Sequence, residues 1–253
     1  VTRKDTAATA LTLTDARRLR ADRARQVADV LRRRVLDGDF ADGALPAETA
    51  LVAEFAATRN TVREALDLLR AEGLVERCPG VGTVVVSRKY PHGLERLRGL
   101  AETLREHGEI VNEVRTSGLI APPREISARL RLPAGEPVVY IERLRSLNGL
   151  PLSLDLTYLA RDLGEPLLAE DLAGTDVFVL LERLAGQPLG HAEVTLEAVN
   201  ADPHSAATLG VPRGAALLMA ERLTHLSDGR PVDLEFIRFR GDRIAMSGLL
   251  TRN

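Results

Sequence analysis

The sequence predicts a two-domain α+β protein, and three observations carry that prediction. Residues 45–83 read as two short helices followed by a glycine-rich hairpin. Further along, residues 128–135 (ARLRLPAG) are echoed by residues 207–214 (ATLGVPRG). Each copy leads to an Asn-Gly or Asp-Gly turn between β-like runs, a strong hairpin signal. Charge also divides the chain: residues 1–90 carry 16 Lys and Arg against 13 Asp and Glu, whereas residues 91–253 carry 18 against 23. That asymmetry points to halves with different partners.

Composition narrows the function classes. At 253 residues, 45% hydrophobic and 28% charged, the chain is an ordinary globular mixture. No apolar run approaches a membrane span and the start does not resemble a signal peptide, so a cytoplasmic, nucleoid-associated protein without membrane contact is expected. The single Cys78 excludes an internal disulfide framework and fits a reducing compartment. Aromatics at 3% and no Trp argue against single-strand binding by base stacking. His92, His107, His191, His204 and His225 are dispersed without zinc spacing, and neither G-x-S-x-G nor a phosphate loop occurs. No catalytic residue, metal or cofactor is therefore expected, and the chain is not expected to be an enzyme.

Residues 1–20 lack apolar periodicity and read as a mobile basic tail. Residues 21–37 form the first helix, with Val27, Leu31 and Val35 four apart on one face. Gly38 and the Asp42-Gly43 pair stop it. Pro46 suits a helix start, and residues 47–55 follow with Leu51 and Phe55 on one side. Thr58 is an N-cap for the third helix, with the Thr61–Glu64 spacing a rival start. In that helix Val62, Ala65, Leu66 and Leu69 share a stripe, while Asn60, Arg63, Glu64 and Asp67 face the other way. A polar row near a helix N-terminus is what a DNA-reading helix presents to base edges, Arg pairing with guanine and Asn with adenine. It is equally the solvated face of an ordinary amphipathic helix. Gly73 ends the helix. Residues 74–77 and 83–86 are β-like around a tip containing Gly80 and Gly82. Helix, helix and hairpin in this order make a winged helix-turn-helix over residues 21–87, with a short linker at residues 88–92.

In these residues the chain resembles the GntR family of bacterial transcription regulators. LPAE, TVREAL, LLRAEGLVER and GVGT carry the resemblance over roughly residues 22–87. It implies DNA contacts from Thr49, Thr58, Arg59, Asn60, Thr61, Arg63 and wing Gly80. Thr49 stands where the family usually has an Arg, Asn60 where Thr or Ser is common, and Val81 where a basic wing residue is usual. An operator that differs from the family consensus follows. Ala47 replaces a frequent Ser, removing a cap worth about 1 kcal/mol.

Residues 93–253 form the second domain. Residues 94–107 read as a helix with Leu94, Leu97, Leu100, Ala101 and Leu104 on one side. The two repeat units, each a short helix, a strand, a turn and a strand, predict a pseudo-symmetric antiparallel sheet flanked by helices. Strand alternation places Arg143 and Arg145 on one face, where they clamp an anion or pair with Glu or Asp of neighbouring strands. Residues 174–177 open a helix, with Thr175 at an anion seat or a normal N-cap.

This half resembles the UTRA ligand-sensing domain of the HutC subfamily of GntR regulators, through GEPVVYIERLR, NGLPLSLDLTYL, HAEVTLEAVNAD, LGVPRGAALL, DGRPVDLEF and FRGDR. The resemblance implies a chorismate-lyase-like fold. It also implies an anionic small-molecule effector held by Arg143, Arg145 and Thr175. Asp155 and Asp233 stand where sugar-phosphate sensors often carry Glu, and Val177 and Phe239 where they often carry Tyr. Shorter acids and missing phenols count against an amino-sugar phosphate. The expected protein is a homodimeric repressor that reads a palindromic operator in double-stranded DNA and responds to that effector. The alternatives are a second domain that only dimerises, or a lyase-like enzyme.

Overall fold

The computed structural model describes residues 13–40, 42–86 and 89–252. They fall into two compact units divided between Lys89 and Tyr90.

The first unit is built on α1 (Leu13–Asp37), α2 (Glu48–Glu54), α3 (Arg59–Ala71), β1 (Val75–Cys78) and β2 (Gly82–Val85). The α1 helix starts eight residues before the expected position, inside the segment read as a tail; residues 1–12 of that tail lie outside the described residues. Its stripe of Ala24, Val27, Ala28, Leu31 and Val35 is buried. Leu51 of α2, Val62, Ala65, Leu66 and Leu69 of α3, and Leu74 and Val75 join it in one core. Each such aliphatic side chain removed from water contributes roughly 1.5–3 kcal/mol. Arg32 of α1 reaches Glu72 just past α3, with Nε 2.7 Å from the carboxylate. The wing hairpin is steadied by the chain before α2: Leu45 N–H donates to Thr83 O (2.8 Å) and Val85 N–H to Gly43 O (2.7 Å).

The second unit is a six-stranded antiparallel sheet. Its strands are β4 (Ile110–Ile120), β5 (Val138–Leu147), β6 (Leu150–Ala160), β7 (Leu189–Asn200), β8 (Ala216–Leu226) and β9 (Pro231–Arg240), in the order β4-β5-β6-β9-β8-β7. The internal echo explains the order. A strand, a helix (α5, Arg124–Arg129, or α8, Pro203–Leu209) and a hairpin occur twice, and the two copies meet along β6 and β9. On one face, α5 covers Val138, Leu223 and Leu234, and α8 covers Leu154 and Leu217. On the other face, α6 (Arg161–Leu167) and α7 (Val177–Ala185) cover Val139, Ile141 and Leu159. Gly164 lets α6 lie close, since a Cβ there would sit 2.7 Å from Val139 Cβ and 2.9 Å from Leu159 Cβ.

Two expectations need correction. Residues 90–92, read as part of the linker, form with Gly93 a strand, β3 (Tyr90–Gly93), parallel to β10 (Ile244–Ser247). Tyr90 packs with Ile244 and Met246, so burial overrides the local Pro91 signal. The helix expected over residues 94–107 is only α4 (Leu100–Leu104) with a 3₁₀ turn at Arg105–His107. Gly99 caps it, its N–H donating to Glu102 Oε2 at 2.9 Å. Residues 94–99 are irregular, although Leu97 still packs on the α6–α7 core.

Candidate nucleic-acid interface and a buried ionic site

Capping fixes the start of α3. Thr58 is extended (φ −74°, ψ 157°), and its Oγ1 accepts from Thr61 N–H at 3.2 Å. The rival start at Thr61 is thereby excluded. No acidic residue sits in the first turn of α3. The positive end of this 13-residue helix is left for an outside anion such as a DNA phosphate. Arg59, Asn60 and Arg63 are exposed in this turn, as are Thr58 before it and Thr49 on α2. Thr61 is different: it is only 3% exposed, and its hydroxyl lies 2.8 Å from that of Thr58. The cap takes the group that was expected to meet DNA. Arg63 Nε donates to Glu48 Oε2 at 2.9 Å, which ties α3 to α2 and sets the direction of the guanidinium. At the wing tip Gly80 (φ 79°) is exposed, with no atom within 4 Å of where a Cβ would stand. Val81 beside it is 69% exposed.

The second unit holds a denser arrangement. On the face of the sheet that carries α6 and α7, strand register sets Arg143 against Asp155, Thr157 against Glu235, Arg222 against Glu235 and Thr224 against Asp233. All seven side chains are buried. They lie between the α6–α7 apolar cluster and a second one made by Leu100, Leu104, Leu147, Leu152 and Phe239. With Arg145, also buried, six ionisable groups are removed from water here, which is costly unless they are paired. Some are. Arg145 Nε is 2.5 Å from Asp155 Oδ2. Arg222 forks onto Glu235, with Nε at 2.8 Å, and its guanidinium lies 4.5 Å from the centre of the Phe178 ring. Ser153 Oγ donates to Asp155 Oδ1 at 2.7 Å.

Arg143 is not paired in this way. It is fully buried, and Nε and both terminal nitrogens lack hydrogen-bond partners. Its nearest acidic atoms, Glu235 Oε1 and Asp155 Oδ2, are 3.9 and 4.0 Å away, beyond hydrogen-bond reach. Both carboxylate oxygens of Asp233 also lack partners. Burial first, and then the Glu235 carboxylate, push the Asp233 carboxyl well above the usual range. Burial also works to raise Glu235, but Arg222, Arg143 and Arg145 outweigh it and hold Glu235 below its ordinary value. Arg143 is lowered by burial and by Arg145 beside it.

A cavity of about 260 Å³ opens beside this cluster, lined by His92, residues 93–98, Gly190, Val194 and Arg222. His92, from β3, has an unpartnered Nδ1, and burial, then Arg222 and Arg145, lower its pKa. Its imidazole is neutral and can accept or donate.

The expected effector residues come together only in part. Arg143, Arg145, Asp155 and Asp233 share the cluster. Arg145 is taken by Asp155, which resolves the sequence's open choice for that residue towards pairing within the sheet. Phe239 lies at the edge, 2% exposed in the apolar core. Thr175 stands one residue before the cap. The N-cap of α7 is Asp176, whose Oδ1 accepts from Phe178 N–H at 3.0 Å, so a carboxylate of the chain already fills that anion seat. His92, Arg222 and Glu235 were missed. The Arg222–Glu235 pair was legible in principle, since the repeat aligns Arg222 with Arg143.

Among the described residues, no helix is long and apolar enough to cross a membrane, and no group of three His, Cys, Asp or Glu could hold a metal. The UTRA domain family matches residues 105–245, and the gntR family of bacterial regulatory proteins matches residues 23–85. An uncharacterized HTH-type transcriptional regulator, RB1450 of Rhizobium meliloti, is 30% identical over 228 residues, 88% of this chain and 92% of that protein. The HTH-type transcriptional repressor NagR of Bacillus subtilis is 29% identical, over 86% of this chain and 90% of its own length. The crystal structure of PhnF from Mycobacterium smegmatis shares the fold, with a TM-score of 0.65 at 23% identity, covering 90% of this chain and all of that one. With both family matches falling on the two units just described, the chain belongs to the HutC-type branch of the GntR family, and is a DNA-binding transcriptional regulator with a UTRA domain rather than an enzyme.

Proposed function

We propose that the protein is a repressor whose grip on a palindromic operator is set by a small-molecule effector in the second unit. The observation that carries this reading is the buried ionic cluster, whose Arg222 lines an open cavity and whose Arg143, with no exposure, has no hydrogen-bond partner. The carboxylates nearest Arg143 stand at 3.9 and 4.0 Å, too far to hydrogen-bond, and a ligand acceptor would offset the cost of leaving its buried N–H groups unmet. A domain that only dimerised would gain nothing from it. Residues 21–87 serve as the DNA-binding domain and residues 93–253 as the effector-binding and dimerising domain, in a protein of the cytoplasm. Thr49, Thr58, Arg59, Asn60, Arg63 and Gly80 meet the operator. Thr61 acts from behind through the cap.

A homodimer suits a two-fold operator. Ala192, Val194, Leu196 and Ala198 share one face of the edge strand β7, where Val194 and Leu196 are 44% and 38% exposed, and a second copy would cover them. Effector and operator affinity are linked reciprocally. His92 is placed to take part, since it lines the cavity only three residues beyond the boundary between the units.

The test begins with operator DNA recovered by selection from random duplexes. A metabolite panel is then screened for loss of the gel shift. Arg143→Gln is expected to keep operator affinity and lose release. Release that survives in Arg143→Gln overturns the site, and a panel without effect on either melting or DNA binding overturns sensing.

A further inference from the structure

We infer that the cavity lined by Arg222 is shared between two copies of the chain. Their β7 strands pair edge to edge, antiparallel about Val194, so that Leu196 of the partner subunit closes the outer wall of each cavity. This rests on the homodimer proposed above and names the surface and register through which it forms.

The two edges of the sheet differ. β4 and β7 stand at its ends, and no strand among the described residues pairs with the outer side of either. β4 is interrupted by a register shift between Val114 and Thr116, which leaves Arg115 as an extra residue held by Glu142 at 3.0 Å. A bulge with a charged residue is a common way to close a sheet edge to further pairing. β7 has no such device between His191 and Asn200. It pairs with β8 there without a shift and carries neither Pro nor Lys. Every residue from Gly190 to Asn200 is exposed or half-buried. An open, regular edge of this length is a template for another strand.

Side chains select the register. Residues opposite each other on paired strands share a face, so two copies of β7 related by a two-fold axis pair about one residue that meets its own copy. Centring on Glu193, Thr195 or Glu197 sets Glu against Glu, which repels. Centring on Leu196 sets Glu193 against Val199 and leaves His191 beyond the paired stretch. Centring on Val194 uses the strand from Gly190 to Ala198. It sets Glu197 opposite His191 and Glu193 opposite Thr195, each a carboxylate against a donor. It also joins Val194 to its own copy and Ala192 to Leu196, covering the exposed Val194 and Leu196.

The same register reaches the cavity. Gly190, Ala192 and Val194 line it with Arg222 and His92. Leu196 of the partner subunit stands opposite Ala192 on that face, and the partner's Ala198 stands opposite Gly190. The partner thus adds an aliphatic wall to a cavity whose other side carries the imidazole and the guanidinium. A molecule bound there touches both copies and favours the dimer over the monomer.

Cysteine pairs test the register in the full chain, with Cys78, its only cysteine, changed to serine. Opposite residues of antiparallel strands have Cα atoms about 4.5–5.5 Å apart, within the range of a disulfide. Val194→Cys is expected to cross-link to its own copy under mild oxidation, read on a non-reducing gel. Copies carrying Ala192→Cys, mixed with copies carrying Leu196→Cys, should cross-link to each other. Neither should cross-link alone, since identical positions then lie about 13 Å apart. In the cysteine-bearing parent, His191→Glu should raise the dimer dissociation constant about tenfold in sedimentation, and adding Glu197→Lys should restore it. Circular dichroism melting reports whether the variants fold, and if His191→Glu does not, the cysteine pairs still decide. A dimer in which Val194→Cys stays unlinked, or Leu196→Cys alone links as fast, overturns this inference and leaves the homodimer standing. A parent that sediments as a monomer overturns both.

Discussion

Asp233 and Glu235 stand two apart on β9 and face the same arginines, yet their protons behave oppositely. Asp233 binds its proton more tightly folded than unfolded. Its contribution to stability is complete below the unfolded value of about 4 and is lost as pH rises from there towards the raised folded value. Glu235 is lowered, so its contribution is present above about pH 4.3 and is lost as pH falls. Asp233→Asn removes only the first effect. Relative to the parent, this variant should gain stability as pH rises above about 4, read as the difference in urea midpoints; a difference that stays constant with pH would show that the Asp233 carboxyl is not raised. Arg63 tests the other unit. It is exposed and aimed by Glu48, so Arg63→Ala should cost about 1–3 kcal/mol of operator discrimination with melting unchanged. Equal gel-shift affinity in the variant would remove it from the interface.

At the scale of elements, the two repeat units end their short helices alike. Gly210 after α8 has φ 64°, and the aligned Arg131 after α5 has φ 52°. The left-handed conformation is free for glycine and costs other residues about 1 kcal/mol or more. Arg131→Gly should therefore raise stability by about 1 kcal/mol in urea unfolding, and no gain would mean that the arginine side chain repays its strain through contacts. The repeat was readable because the turn chemistry, Asn-Gly and Asp-Gly, recurs at the same offset. The α4 region was misread because Leu94, Leu97, Leu100, Ala101 and Leu104 satisfy a helical period although the first two lie in irregular chain. Periodicity reports which side chains are apolar, and here a Gly99 cap decides where the helix begins. A Cβ at Gly99 would stand 2.1 Å from Asp176 Oδ2, a contact no local pattern shows.

For the whole molecule, two separate apolar cores mean that a single unfolding free energy is not defined for the chain. Leu66→Ala, in the core of the first unit, should cost 2–5 kcal/mol, roughly, in that unit. Calorimetry should show the first unit's transition moved down. Ligand binding by the second unit should persist while operator binding fails on warming. A single transition that moves as one would show the units to be coupled in folding.

The sequence by itself determined the two-unit plan, the winged helix-turn-helix, the doubled strand–helix–hairpin unit, and the placement of Arg143 and Arg145 on one sheet face. Capping residues, turn dipeptides and side-chain periods act over a few residues, and a linear reading captures them. Tertiary structure alone decided which charges meet. Asp155 takes Arg145, Glu235 takes Arg222, and Arg143 is left without a hydrogen bond. Those outcomes depend on the order β4-β5-β6-β9-β8-β7 and on registers between strands up to about ninety residues apart in the chain. Thr61 shows the same division on a small scale: its type and position were legible, but the turn of its hydroxyl into the cap followed from the way α3 begins.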